Sequence, residues 1–173
     1  IEELVTDLTS AFLNEYTPGD KRKEVENYNN YYLGPFVISS KDGKRSIIDG
    51  QQRLTSLTLF LIYLNNLQKE LGESQKIEPL IFSEKYDEKS FNITVEERIP
   101  CLEALFSHGS YSPAETDDES TANMAERYQD IVEAFPEELK NDAFPFFIDS
   151  EKIQSMLVAG NEPDVMMVHD TFF

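Results

Sequence analysis

Apolar residues at helical spacing open the chain. Ile1, Leu4, Val5, Leu8, Phe12 and Tyr16 fall on one side and Glu2, Glu3 and Asp7 on the other, which predicts an amphipathic helix over 1–16. Thr17-Pro18-Gly19-Asp20 ends it, and the charged, Asn-rich stretch 20–30 reads as a loop. Tyr31 to Ser39 has strand composition interrupted by Gly34-Pro35. Lys41-Asp42-Gly43-Lys44 has hairpin-turn chemistry. Arg45 to Asp49 is the return strand, and its consecutive Ile47 and Ile48 predict burial on both faces.

Gly50 breaks that strand. From Gln51 to about Leu71 the pattern is helical again: Leu54, Leu57, Phe60, Leu61, Leu64, Leu67 and Leu71 mark one face, and Leu59, Ile62 and Tyr63 fill much of the rest. A helix apolar on so many sides belongs at the centre of the core, and Gly72 is a suitable stop.

The second half is less regular. Strands are expected at 78–84 and 90–96, the latter alternating Phe91, Ile93 and Val95. A short helix is expected over 100–107 and an acidic loop over 110–120. A helix at about 121–135 is closed by Pro136, and an aromatic stretch interrupted by Pro145 spans 142–149. A short helix at 150–158 and a terminal strand at 165–168 complete the reading. It amounts to one α+β domain over 1–173: a small mixed sheet with a hairpin carries the central helix, a core motif region spans 31–72, and a more helical, acidic part spans 97–173. The chain starts inside an apparent helix without an initiator Met, so it reads as a fragment of a larger protein.

Charge changes this picture. The net charge is −18, which disfavours nucleic acid and anionic membranes unless it is uneven. It is uneven: residues 1–72 hold 8 Lys and Arg against 10 Asp and Glu, whereas residues 73–173 hold 7 against 23. A phosphate-binding surface therefore belongs to the first part. No apolar run approaches membrane-span length, and the single Cys101 allows no internal disulfide, so a cytoplasmic protein is expected. Cys101 reads as a buried core residue. Two His and one Cys show no metal-ligand spacing, so no metal site is expected.

The chemistry concentrates in Asp49-Gly50-Gln51-Gln52-Arg53 with Thr55. Gly50 permits a sharp turn and close approach of an anion. The first N–H groups of the following helix lack internal partners, and its dipole is positive there, so the turn is suited to a nucleotide or nucleic-acid phosphate. Arg53 forks onto phosphate oxygens. Gln51 and Gln52 donate to oxygens or read a base edge, Thr55 and Ser56 add hydroxyls, and Lys44 and Arg45 add charge upstream. Three roles are open to Asp49: helix cap, ligand of a phosphate-bridging metal ion, or orienter of a water. The bland alternative is an N-cap, a turn glycine and a surface ion pair.

Tyr32-Leu33-Gly34 followed by a strand, then Ile47-Ile48-Asp49-Gly50-Gln51-Gln52-Arg53-Leu54-Thr55-Ser56-Leu57, resembles the signature of the GmrSD-type restriction endonuclease N-terminal domain. The likeness covers about residues 31–68 and is general in pattern elsewhere. It implies a ParB/sulfiredoxin-like core and a module that binds, and hydrolyses, a nucleoside triphosphate with Mg2+ in a bacterial restriction and phage-defence system acting on modified DNA. Asp49 and Arg53 are then catalytic, and Gly50, Gln51, Gln52, Arg53 and Thr55 bind the nucleotide. DNA is engaged through the full-length protein, and cutting is done by a separate His-Asn-His nuclease domain or subunit. Sulfiredoxins carry Cys directly after the motif glycine; Gln51 stands there in this chain, so their thiol chemistry is not implied. The Gln-Arg segment before the first helix and the late Asn-Asp-Arg-Gly segment of that family are not found, and the fragment alone is expected to be incomplete as an enzyme. A non-catalytic phosphate- or DNA-binding switch and a structural interaction domain are the alternatives.

Overall fold

The computed structural model describes residues 1–29, 37–41, 44–85, 88–91, 96–149 and 166–169. Its elements in order are α1 (Glu2–Glu15), a 3-10 turn at Arg22–Asn27, β1 (Val37–Lys41), β2 (Lys44–Asp49), α2 (Gln51–Glu70), α3 (Glu78–Ile81), β3 (Phe82–Lys85), β4 (Glu88–Phe91), α4 (Ile99–His108), α5 (Glu119–Ala134), α6 (Phe144–Phe147) and β5 (Met166–His169).

α2 organises the molecule. Every residue from Leu57 to Asn65 is buried, as are Leu67 and Gln68. A helix enclosed on all sides over two turns cannot rest on one flat layer. It packs instead against α3, α4 and α5, while α1 lies against α5. Ile62 is fully buried and Leu59 and Leu64 almost so. Asn66 Nδ2 pins three helices by donating to the Leu105 carbonyl at 2.8 Å and to the Tyr128 hydroxyl at 3.1 Å. Gly72, in the left-handed region at φ 76°, turns the chain out of α2. Glu73 N–H then closes the helix end by donating to the Gln68 carbonyl at 2.8 Å.

This arrangement corrects the expected fold class. The chain is mostly helical, and the α+β scheme with a small mixed sheet and hairpin, or a ParB/sulfiredoxin-like core, as the scaffold under the central helix does not hold. The buried residues described come almost entirely from helices and the turns joining them; Phe91 is the strand residue among them. The strands are short: β1 pairs antiparallel with β2 and parallel with β5, and β3 pairs antiparallel with β4. The physical reason was present in the pattern of α2, whose apolar residues need helical neighbours on several sides. The expected strand at 78–84 begins as α3, because Pro79 fits the first turn of a helix. The helix expected at 121–135 starts earlier, at Glu119, where Asp118 caps it by accepting from Thr121 N–H at 2.9 Å. The hairpin turn at Asp42-Gly43, the alternation at Ile93 and Val95, the helix at 150–158 and the Tyr31–Gly34 segment lie outside the described residues.

The aromatic stretch is core. Phe144 is fully buried and meets Phe135 edge-on, and Phe147 packs on Phe12, Phe60 and Phe135. Arg22 lies over Phe146 and pairs with Asp149 at 2.9 Å, tying the N-terminal turn to this end of the chain.

Candidate functional site

Asp49 ends β2, Gly50 makes the turn, and Gln51 begins α2. The turn needs glycine. Gly50 sits at φ 92°, ψ 5°, a left-handed conformation that costs a side-chain-bearing residue roughly 1–2 kcal/mol. It is also buried, with exposed neighbours Asp49, Gln51 and Gln52 on either side. The helix cap is Gly50, which has no side chain to bond the first turn.

Arg53 sits one turn in and half-buried. Its Nη2 lies 3.6 Å from Asp49 Oδ2, both side chains being open to solvent at 38% and 66%. At that length and exposure the pair is a loose surface contact, worth at most about 1 kcal/mol. Its effect is directional: it points the guanidinium back toward the turn. Acid, glycine, amides and arginine thus converge on one end of α2, where the helix dipole is positive. Thr55 behaves differently. Its hydroxyl donates to the Gln51 carbonyl at 2.9 Å, so its proton is directed along the helix. Thr55 also faces Arg98, Leu102 and Met124 across a small void. Arg98 is a cation that the sequence did not single out, because it lies far from the motif in the chain; its Nε donates to Ser120 Oγ at 2.9 Å. The side chains of Lys44 and Arg45 lie outside the described residues.

The matching family model is that of the GmrSD restriction endonuclease, N-terminal domain, over residues 1–168. The chain belongs to this family. No curated protein and no solved structure matches it. The GmrSD match extends well beyond the 31–68 segment that carries the visible motif and takes in the helical second half.

Local bonds hold the acidic loop and the turn after α1. Asp117 and Asp118 are spent locally: Asp117 accepts from Tyr111 hydroxyl and from Ala114 N–H, each at 2.8 Å, and Asp118 caps α5. The Thr121 and Ser120 bonds hold the Asp118 carboxyl below its ordinary range. Tyr28 donates to Asp20 at 2.6 Å and packs on Phe12, an arrangement of loop packing. No described helix is long and apolar enough to cross a membrane.

Cys101 is fully buried, and burial, aided by the nearby Asp117 charge, pushes its thiol up to about 11. A thiol so buried and so weakly acidic is inert at neutral pH. Iodoacetamide at pH 7.5 is expected to leave Cys101 unmodified in the folded chain and to alkylate it fully in guanidinium, as read by mass spectrometry. Rapid labelling of the native protein would remove Cys101 from the core.

Proposed function

We propose that this chain is the nucleotide-binding module of a DNA restriction system, holding a nucleoside triphosphate with Mg2+ at the Asp49–Arg53 turn. The observation that carries the proposal is the buried left-handed Gly50 at the start of α2 with the Arg53 guanidinium drawn back beside it. A glycine turn leading into a helix start puts the positive end of the helix dipole at the turn, which supports phosphate binding. The residues fit the group. Gln51, Gln52 and Arg53 supply donors for phosphate oxygens, and Asp49 is an exposed carboxylate for magnesium, which favours few carboxylates and substrate phosphates. Membership of the GmrSD family supplies the restriction context. Within such a system the bound nucleotide would govern DNA cleavage performed by a separate His-Asn-His nuclease domain or subunit, and DNA would be met through the larger assembly.

The Asp49–Arg53 contact supports the structural alternative, since the guanidinium already has an internal neighbour. A charge-assisted, forked contact to phosphate is worth about 1.5–3 kcal/mol, against at most about 1 kcal/mol for an exposed ion pair, which favours the phosphate reading.

Calorimetry of the chain with ATP, GTP, CTP and UTP in the presence of Mg2+ tests the proposal. At least one triphosphate is expected to bind. Binding accompanied by phosphate release identifies a hydrolase, and binding without release identifies a switch. Absence of binding heat for all four, confirmed by nuclear magnetic resonance, would overturn the assignment of the turn.

A further inference from the structure

The Asp49–Arg53 turn does not absorb all the positive charge of the first half. Lys41, Lys44 and Arg45 stand with a single acid, Asp42, in one short stretch of a chain whose net charge is −18. The pairing of β1 with β2 brings them together. Lys41 is opposite Lys44 in the last row of the ladder, and Ser40 is opposite Arg45 in the row before it. On its other side β1 pairs with β5, which puts His169 beside Ser40. The β5 pairing stops there and Lys41 pairs with Lys44 alone, so among the described residues this end is two strands wide.

Distance separates this cluster from the turn. Lys44 begins β2 and Asp49 ends it, a span of about 16 Å in extended chain. Charges exposed to water are screened over about 8 Å at physiological ionic strength, so Lys44 and Arg45 add little to an anion held at Gly50. The ladder itself does not need them either. Like charges directly opposite one another oppose strand pairing, so the Lys41–Lys44 row destabilises the pair unless an outside anion neutralises it. A second basic run, Lys21-Arg22-Lys23, is bracketed by Asp20 and Glu24, and Arg22 is already paired with Asp149. The β1–β2 end therefore carries the stronger case.

Charge and shape select the partner. A strongly acidic chain meets a polyanion only where its charge is locally reversed. Two strands about 4.8 Å apart form a ribbon narrow enough for the major groove of B-form DNA, about 12 Å wide. The deep, narrow major groove of duplex RNA excludes such a ribbon. Membership of the GmrSD restriction endonuclease family makes DNA an available partner. We propose that the Lys41–Lys44 end of the paired strands docks on duplex DNA, with Lys41, Lys44 and Arg45 neutralising backbone phosphates. Contacts of this kind set the position of a chain on the duplex without reading its sequence. The proposal stands whether or not the turn holds a triphosphate.

Fluorescence anisotropy with a short labelled DNA duplex, over a series of salt concentrations, tests it on the whole 173-residue chain. Binding is expected at low salt. The logarithm of affinity should fall against the logarithm of salt with a slope of about −2.7, since each neutralised phosphate contributes about −0.9. Lys41→Gln combined with Lys44→Gln is expected to weaken binding at least tenfold and to flatten that slope by about two, without lowering the melting temperature. Should that double variant fail to fold, Arg45→Gln carries the test, with a several-fold loss and a slope change of about one. Lys69→Gln combined with Lys76→Gln makes the same change in net charge at exposed positions on and beyond the last turn of α2, and is expected to leave DNA affinity unchanged. Arg53→Ala is expected to spare DNA binding, so loss of the triphosphate reading and loss of this one are told apart. Four results overturn the proposal: no salt-dependent binding of the duplex, an equal loss in the Lys69 and Lys76 variant, binding lost in Arg53→Ala, or equal affinity for duplex RNA or for phosphatidylserine vesicles.

Discussion

Arg53→Ala is expected to weaken triphosphate binding by about 10- to 100-fold, the equivalent of roughly 1.5–3 kcal/mol for a lost charge-assisted contact. The fold should survive. Arg53 is partly exposed and its visible ion pair is loose, so a melting temperature within a few degrees of the parent is expected. Arg53→Lys separates charge from shape. It retains a cation but not the planar fork, and should recover only part of the affinity. Asp49→Asn makes the opposite cut by keeping size and removing charge. If Asp49 serves magnesium, Asp49→Asn weakens the Mg2+-dependent component of binding and leaves Mg2+-free binding unchanged. If Asp49 only restrains Arg53, the double variant loses no more than Arg53→Ala alone. Triphosphate affinity indifferent to Arg53→Ala would sink the proposal for the turn.

The turn was legible in the sequence for a physical reason. Gly50 follows a β-branched run and precedes a long apolar helix, so local chemistry alone specifies strand, break and helix start. The position of Arg53 one turn in follows from helical geometry. What could not be read locally is which side chains α2 brings near. Arg98 reaches the neighbourhood of Thr55 only because α4 packs on α2. The Thr55 hydroxyl had two plausible bonds, one to a ligand and one to the Gln51 carbonyl, and in the structure it donates to that carbonyl. The fold class misled for a related reason. Strand-like residues at 37–49 predict a sheet scaffold, although the same pattern makes α2 apolar on nearly every side. A helix of that kind demands helical partners, and the partners were the less regular segments of the acidic half. A polar residue in an apolar helix, such as Asn65 or Gln68, reads as surface until the packing is known.

Phe144→Ala is expected to be the most destabilising single substitution among those considered, at about 3–5 kcal/mol. Phe144 is fully buried and stands edge-on to Phe135, so truncation removes both transfer energy and ring contacts and leaves a cavity that its neighbours cannot close. Against a total stability of order 5–15 kcal/mol, such a loss should lower the melting temperature by roughly 10 °C or more. The result bears on function as well. Residues 142–149 carry aromatics without adjacent basic side chains in the sequence, and their burial argues that they serve packing rather than base stacking. Phe135 joins Phe144 to Phe60 of α2, so the destabilisation should reach the helix that presents the Asp49–Arg53 turn. Triphosphate affinity should therefore be near normal well below the melting midpoint and fall in step with unfolding, as followed by circular dichroism. A Phe144→Ala chain that melts like the parent would show that this end of the chain is not part of the core around α2.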